Sequence, residues 1–108
     1  MTVIISPDVI DYLENLVFTL RDKGYFNFLE DAEEYVDKIY DAIPVALQQQ
    51  QHKQTPEELI KYGRFYVTYN TANRTTWYIF FARSDERIIV KFVTNNHVYN
   101  AGFLNLDD

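Results

Sequence analysis

The chain changes character once, at Gly63, and that switch limits its architecture more than any other feature. Before it, apolar residues recur at helical spacing; after it come three segments, 65–69, 75–81 and 88–93, dominated by aromatic and β-branched residues. Thr71-Ala72-Asn73 and Arg83-Ser84-Asp85-Glu86 separate them as turns. Helices gathered in one stretch and strands in another exclude both an all-helical bundle and an alternating βαβ chain, and predict an α+β domain with an antiparallel meander. At 108 residues the chain has room for one domain with a single core.

The helical part starts after an apolar strand, Val3-Ile4-Ile5. Ser6-Pro7-Asp8 supplies an N-cap and a proline at the first helical position. Val9, Leu13, Leu16 and Leu20, with Ile10 and Val17 beside them, then predict a helix over about 7–23 that Gly24 ends. Asn27 with Glu30 resembles a capping box for a second helix. Its stripe is Phe28, Ala32, Tyr35, Ile39, Ala42 and Ile43, and Pro44 either kinks it or begins a further turn over 45–51. Residues 52–55 read as loop, and Thr55-Pro56-Glu57-Glu58 caps a short turn that Gly63 closes. In the last strand Ile88, Val90 and Phe92 alternate with Ile89, Lys91 and Val93, so one face packs on the helices and the other presents Lys91. The order is β-α-α-β-β-β, a helical hairpin on a mainly antiparallel sheet.

Charge divides the chain at nearly the same place. Net charge is −6, yet 1–56 carry ten acids against four bases, whereas 59–106 carry Lys61, Arg64, Arg74, Arg83, Arg87 and Lys91 against Asp85 and Glu86. The acids of the second helix, Glu30 to Asp41, fit a solvated amphipathic face better than a paired-carboxylate site. There is no cysteine, which removes disulfides, thiolate chemistry and Cys-based zinc sites. His52 has no partner at ligand spacing and reads as a surface side chain, so no metal site is expected. Gly63 and Gly102 belong to no phosphate-cradling pattern. The start, Met-Thr-Val-Ile-Ile-Ser-Pro, lacks the basic and long apolar stretches of a signal peptide or membrane span, so the expected location is the cytoplasm.

In this order, the opening Val3-Ile4-Ile5-Ser6-Pro7 with its helix, the strand Thr76-Trp77-Tyr78-Ile79-Phe80-Phe81, and Ile88 to Val93 leading into Asn95-Asn96-His97-Val98-Tyr99 resemble the RelE/ParE toxin family of bacterial type II toxin-antitoxin modules. The resemblance covers essentially the whole length. It implies a toxin neutralised by a cognate antitoxin, and either cleavage of mRNA on the ribosome or poisoning of DNA gyrase. In the nuclease branch the ribose 2′-OH attacks the adjacent phosphate without a metal or other cofactor, which requires proton transfer and stabilisation of negative charge.

His97, at the exit of the last strand, is the candidate proton-transfer group, since an imidazole both accepts and donates protons near neutrality. Tyr99 is a candidate to position or stack on a nucleotide, a phenol being a poor base at pH 7. Arg64 and Arg74 bracket a strand and Lys91 lies two strands on, as candidate phosphate donors. Plainer roles exist for each: a turn histidine, a rim tyrosine, arginines that guard sheet edges, and a lysine that points at solvent. Trp77 reads as core rather than as a stacking platform. The acidic balance departs from what phosphate binding favours. The alternatives are therefore a ParE-like gyrase inhibitor without nuclease activity, or a catalytically inactive interaction domain.

Overall fold

A computed structural model describes residues 1–71 and 75–97 of the chain. The order is β1 (Thr2–Ile5), α1 (Pro7–Asp22), α2 (Leu29–Gln49), β2 (Lys53–Gln54), a 3₁₀ helix over Glu57–Tyr62, β3 (Phe65–Thr71), β4 (Thr75–Ser84) and β5 (Arg87–Asn95). Local chemistry sets α1 at both ends. The Ser6 hydroxyl accepts from the Val9 N–H at 3.4 Å with proline next in line. At the other end Gly24, at φ +81°, lets its own N–H reach the Arg21 carbonyl and the Tyr25 N–H reach the Leu20 carbonyl, both at 3.0 Å. Pro44 sits inside α2, which runs on past it. Ile43, Ala46 and Leu47 are buried around it, and their burial, about 2 kcal/mol for each large side chain, outweighs the roughly 3 kcal/mol that an interior proline costs.

The two helices pack on one face of a five-stranded mixed sheet of order β1-β5-β4-β3-β2. β1 pairs in parallel with β5, and the other pairings are antiparallel. Val9, Leu13, Leu16 and Val17 of α1 and Val36, Ile39 and Ile43 of α2 meet Val67, Trp77, Ile79, Phe81, Ile88, Val90 and Val93 of the sheet in one cluster. The opposite face carries a second cluster beneath the 3₁₀ helix, in which Leu59, Tyr66, Tyr78 and Phe80 are joined by Tyr62 and Phe92. Tyr62 stacks on Phe92 with ring centroids 4.1 Å apart. Gly63 permits this arrangement, because a Cβ there would lie 2.7 Å from the Phe81 nitrogen. Among the described residues no helix is long and apolar enough to cross a membrane.

Four sequence expectations are corrected. Alternation along β5 breaks at a bulge: Phe80 faces Phe92 but Phe81 faces Val90, so Lys91 is extra. That one residue sends Val93 into the helix-facing core and Phe92 to the opposite side, reversing the assignment made from simple alternation. α2 starts at Leu29 with Phe28 at the cap and no side-chain cap bond, so the Asn27–Glu30 box does not form, and Phe28 is 65% exposed. Phe26 instead anchors the loop by packing against Tyr35, 5.4 Å between centroids. Residues 53–54, read as loop, add a short strand to β3. Thr55 does not cap the turn at 57–62; its hydroxyl is buried with no hydrogen-bond partner among the described residues.

Candidate functional site

β4 opens at Thr75 and β5 closes at Asn95, and the register sets Trp77 against Asn95. Continuing it brings the next turn of chain alongside Thr75 and Thr76. There the Asn96 N–H donates to the Thr76 carbonyl and the Thr76 N–H donates to the Asn96 side-chain oxygen, both at 3.1 Å. The His97 N–H donates to Asn95 Oδ1 at 2.9 Å. These bonds pin the Asn-Asn-His segment to the sheet and leave the His97 ring exposed, with Nε2 3.1 Å from the Thr75 hydroxyl. Nδ1 has no hydrogen-bond partner among the described residues. An imidazole held through one nitrogen and open at the other is arranged to take up or release a proton.

His97 borders a cleft of about 720 Å³ between the C-terminal half of α1, the loop after it, and the ends of β4 and β5. Its walls are aromatic: Tyr12, Tyr25, Phe26, Tyr35 and Trp77. A chain of hydrogen bonds orders the floor. Trp77 Nε1–H donates to the Tyr35 hydroxyl at 3.1 Å, which donates to the Thr71 hydroxyl at 3.4 Å, which donates to the Thr75 carbonyl at 3.3 Å. Tyr12 is held above a phenol's usual value, chiefly because burial disfavours the phenolate and secondarily because the Tyr35 phenol lies nearby. Asn15, Thr19, Lys23 and Asn95 supply further polar groups, and among the described residues no carboxylate lines the cleft.

The other sequence candidates do not converge on this site. Arg64 precedes β3 at a level opposite Ala82, whereas His97 lies opposite Thr75, so the length of β4 separates them by roughly 23 Å at ~3.3 Å per residue. An antiparallel neighbour places the start of β3 at the far end, and a joint role for Arg64 and His97 at one phosphate is therefore excluded. Lys91 is exposed at the bulge, six residues back along the chain from His97, roughly 20 Å away at ~3.3 Å per residue. Arg74 and Tyr99 lie outside the described residues. Trp77 is core, 1% exposed, as expected, and it also forms part of the cleft wall.

His52 departs furthest from its expectation. It is half-buried rather than a free surface side chain: Nε2 bonds the Leu47 carbonyl at 2.9 Å, and Nδ1 lies 2.7 Å from Arg83 Nη1. Because arginine only donates, Nδ1 accepts and Nε2 carries the proton that caps a terminal carbonyl of α2. Its ring meets Phe81 edge-on at 4.7 Å, and Arg83 lies over Phe65 at 4.4 Å. These partners come from β3 and β4, so no spacing within the 48–55 stretch announces them. The only local signal is the histidine's place a few residues beyond the α2 carbonyls it caps. Among the described residues no group of three or more His, Cys, Asp or Glu side chains is placed to hold a metal ion. No protein family, curated protein or solved structure matches this chain.

Proposed function

We propose that this protein is a RelE/ParE-like toxin of a type II toxin-antitoxin module that cleaves mRNA on the ribosome without a metal, with His97 as its proton-transfer group. The observation that carries this reading is the exposed His97 ring, tied to Thr75 through Nε2 and, among the described residues, open at Nδ1, beside a cleft that none of their carboxylates lines. In the reaction, the imidazole takes the 2′-OH proton as that oxygen attacks the adjacent phosphorus. A 2′,3′-cyclic phosphate forms, the bond to the 5′ oxygen breaks, and the departing oxygen takes a proton. Arg74, next in sequence to Thr75, is the candidate charge donor that remains once Arg64 and Lys91 are set aside. The helical hairpin on a five-stranded, mainly antiparallel sheet fits the α+β class that this reading expects.

Induced expression is expected to arrest growth with ribosome-dependent cuts in mRNA, and His97→Ala to lower cleavage by about 10²- to 10⁴-fold, the usual contribution of a general acid–base. Undiminished cleavage in that variant removes His97 from the reaction. The separation of Arg64 and Lys91 from His97 favours one second reading, a gyrase inhibitor that needs no cationic catalytic cluster. Growth arrest with gyrase-linked DNA breaks and intact mRNA selects it.

A further inference from the structure

The helices carry ten carboxylates, from Asp8 to Asp41, in a chain of net charge −6. Yet among the described residues none lines the cleft beside His97, and the charged or titratable side chains there besides tyrosines are Lys23 and His97. Lys23 makes no ion pair among the described residues. On so acidic a surface, an aromatic-walled cleft that no acid among the described residues lines, and that a cation rims, suits a planar, heteroaromatic, negatively charged ligand. The volume of about 720 Å³ falls within the roughly 300–1,000 Å³ usual for small-molecule sites. The carboxamide of Asn15, and the amide NH₂ of Asn95 whose oxygen already accepts from the His97 N–H, offer donor and acceptor groups that match the edge of a nucleobase rather than an aliphatic group. Tyr25, 71% exposed at the mouth, provides a ring with an open π-face.

We infer that this cleft is a subsite for one unstacked nucleotide: the base lies among the aromatic rings, Asn15 and Asn95 bond its edge, and Lys23 neutralises its phosphate. The inference rests on the nuclease reading for its biological role but not for its test. Trp77 is the sole tryptophan and part of the wall, so its fluorescence reports occupancy.

The experiment titrates the full chain with each nucleoside 5′-monophosphate and with the corresponding free nucleosides. A saturable change in Trp77 emission is expected, weakened by about tenfold in Tyr25→Ser and Asn15→Ala, both at exposed positions, as the loss of one stacking or edge contact implies. Lys23→Ala is expected to abolish the preference for nucleotide over nucleoside. No saturable change, equal binding of indole and of nucleotides, or unaltered binding in all three variants overturns the proposal. If nucleotides bind as described but the protein cuts no RNA, the subsite stands and the nuclease reading falls. If His97-dependent cleavage persists at full rate in Tyr25→Ser and Asn15→Ala with no nucleotide binding, the reverse holds.

Discussion

The indole N–H of Trp77 on β4 donates to the phenolic oxygen of Tyr35 on α2, 3.1 Å away, joining helix and sheet through groups 42 residues apart in the chain. Trp77 is 1% exposed, so its N–H is largely shielded from water. Tyr35→Phe keeps the ring and removes the acceptor, and is expected to cost about 1–3 kcal/mol, the penalty for stranding a buried donor. A lower denaturant midpoint with unchanged slope is the expected reading. A Tyr35→Phe/Trp77→Phe double variant should lose less than the sum of the single changes.

Gly63 makes the closest backbone approach in the fold's second layer. At φ +155°, a Cβ would meet the Phe81 nitrogen at 2.7 Å and its carbonyl oxygen at 3.0 Å. Both neighbours are main chain of a central strand and cannot swing aside. Gly63→Ala is therefore expected to destabilise by about 1–3 kcal/mol, as overpacking does. The loss should be accompanied by increased exposure of Tyr62, which the same turn holds against Phe92. Wild-type stability in that variant would disprove the close approach.

Gln50 acts as a one-residue extension of the sheet. Its side-chain nitrogen donates to the Thr68 carbonyl at 2.5 Å and its oxygen accepts from the Thr68 N–H at 3.0 Å, on the edge of β3 beyond the two residues that β2 covers. Gln50→Ala is expected to cost about 1 kcal/mol and to speed amide hydrogen exchange at Thr68. Gln50→Glu keeps the acceptor and loses the donor, so protection of the Thr68 N–H should survive in it. Equal exchange in both variants would show that the amide does not bind the strand.

Tyr12 is expected to give the fold an alkaline dependence. Its phenol is held above the ordinary tyrosine value by burial first and by Tyr35 second. A group raised in the folded state contributes fully while it is protonated in both states, and loses that contribution as pH climbs from its unfolded value through its folded one. The wild type should therefore lose more stability than Tyr12→Phe between about pH 9 and pH 11. Parallel curves for the two proteins over that range would contradict the shift.

Those features of the fold that could be read before any coordinates were local. Ser6, Pro7 and Gly24 bracket α1 because capping groups bond backbone within about five residues, and the apolar spacing of Val9, Leu13 and Leu16 reports a helix face directly. The start of α2 is not legible in the same way, because the Asn27–Glu30 pattern is local while the loop before α2 is held by the longer-range packing of Phe26 on Tyr35. At the candidate site, His97 was legible as a titratable group at a strand exit, but its partner Thr75 and the aromatic walls come from three other elements.

What the amino-acid order determined alone was the two helices and the four longer strands, the caps of α1, and the division of charge between helices and strands, since each depends on neighbours a few residues away. Tertiary structure decided the rest. One extra residue at Lys91 reverses which side chains of β5 reach the core, and register sends Arg64 to the opposite end of the sheet from His97. Pairing between strands is a non-local choice: it is settled by which packing buries both faces at once, and no spacing along a single strand encodes it.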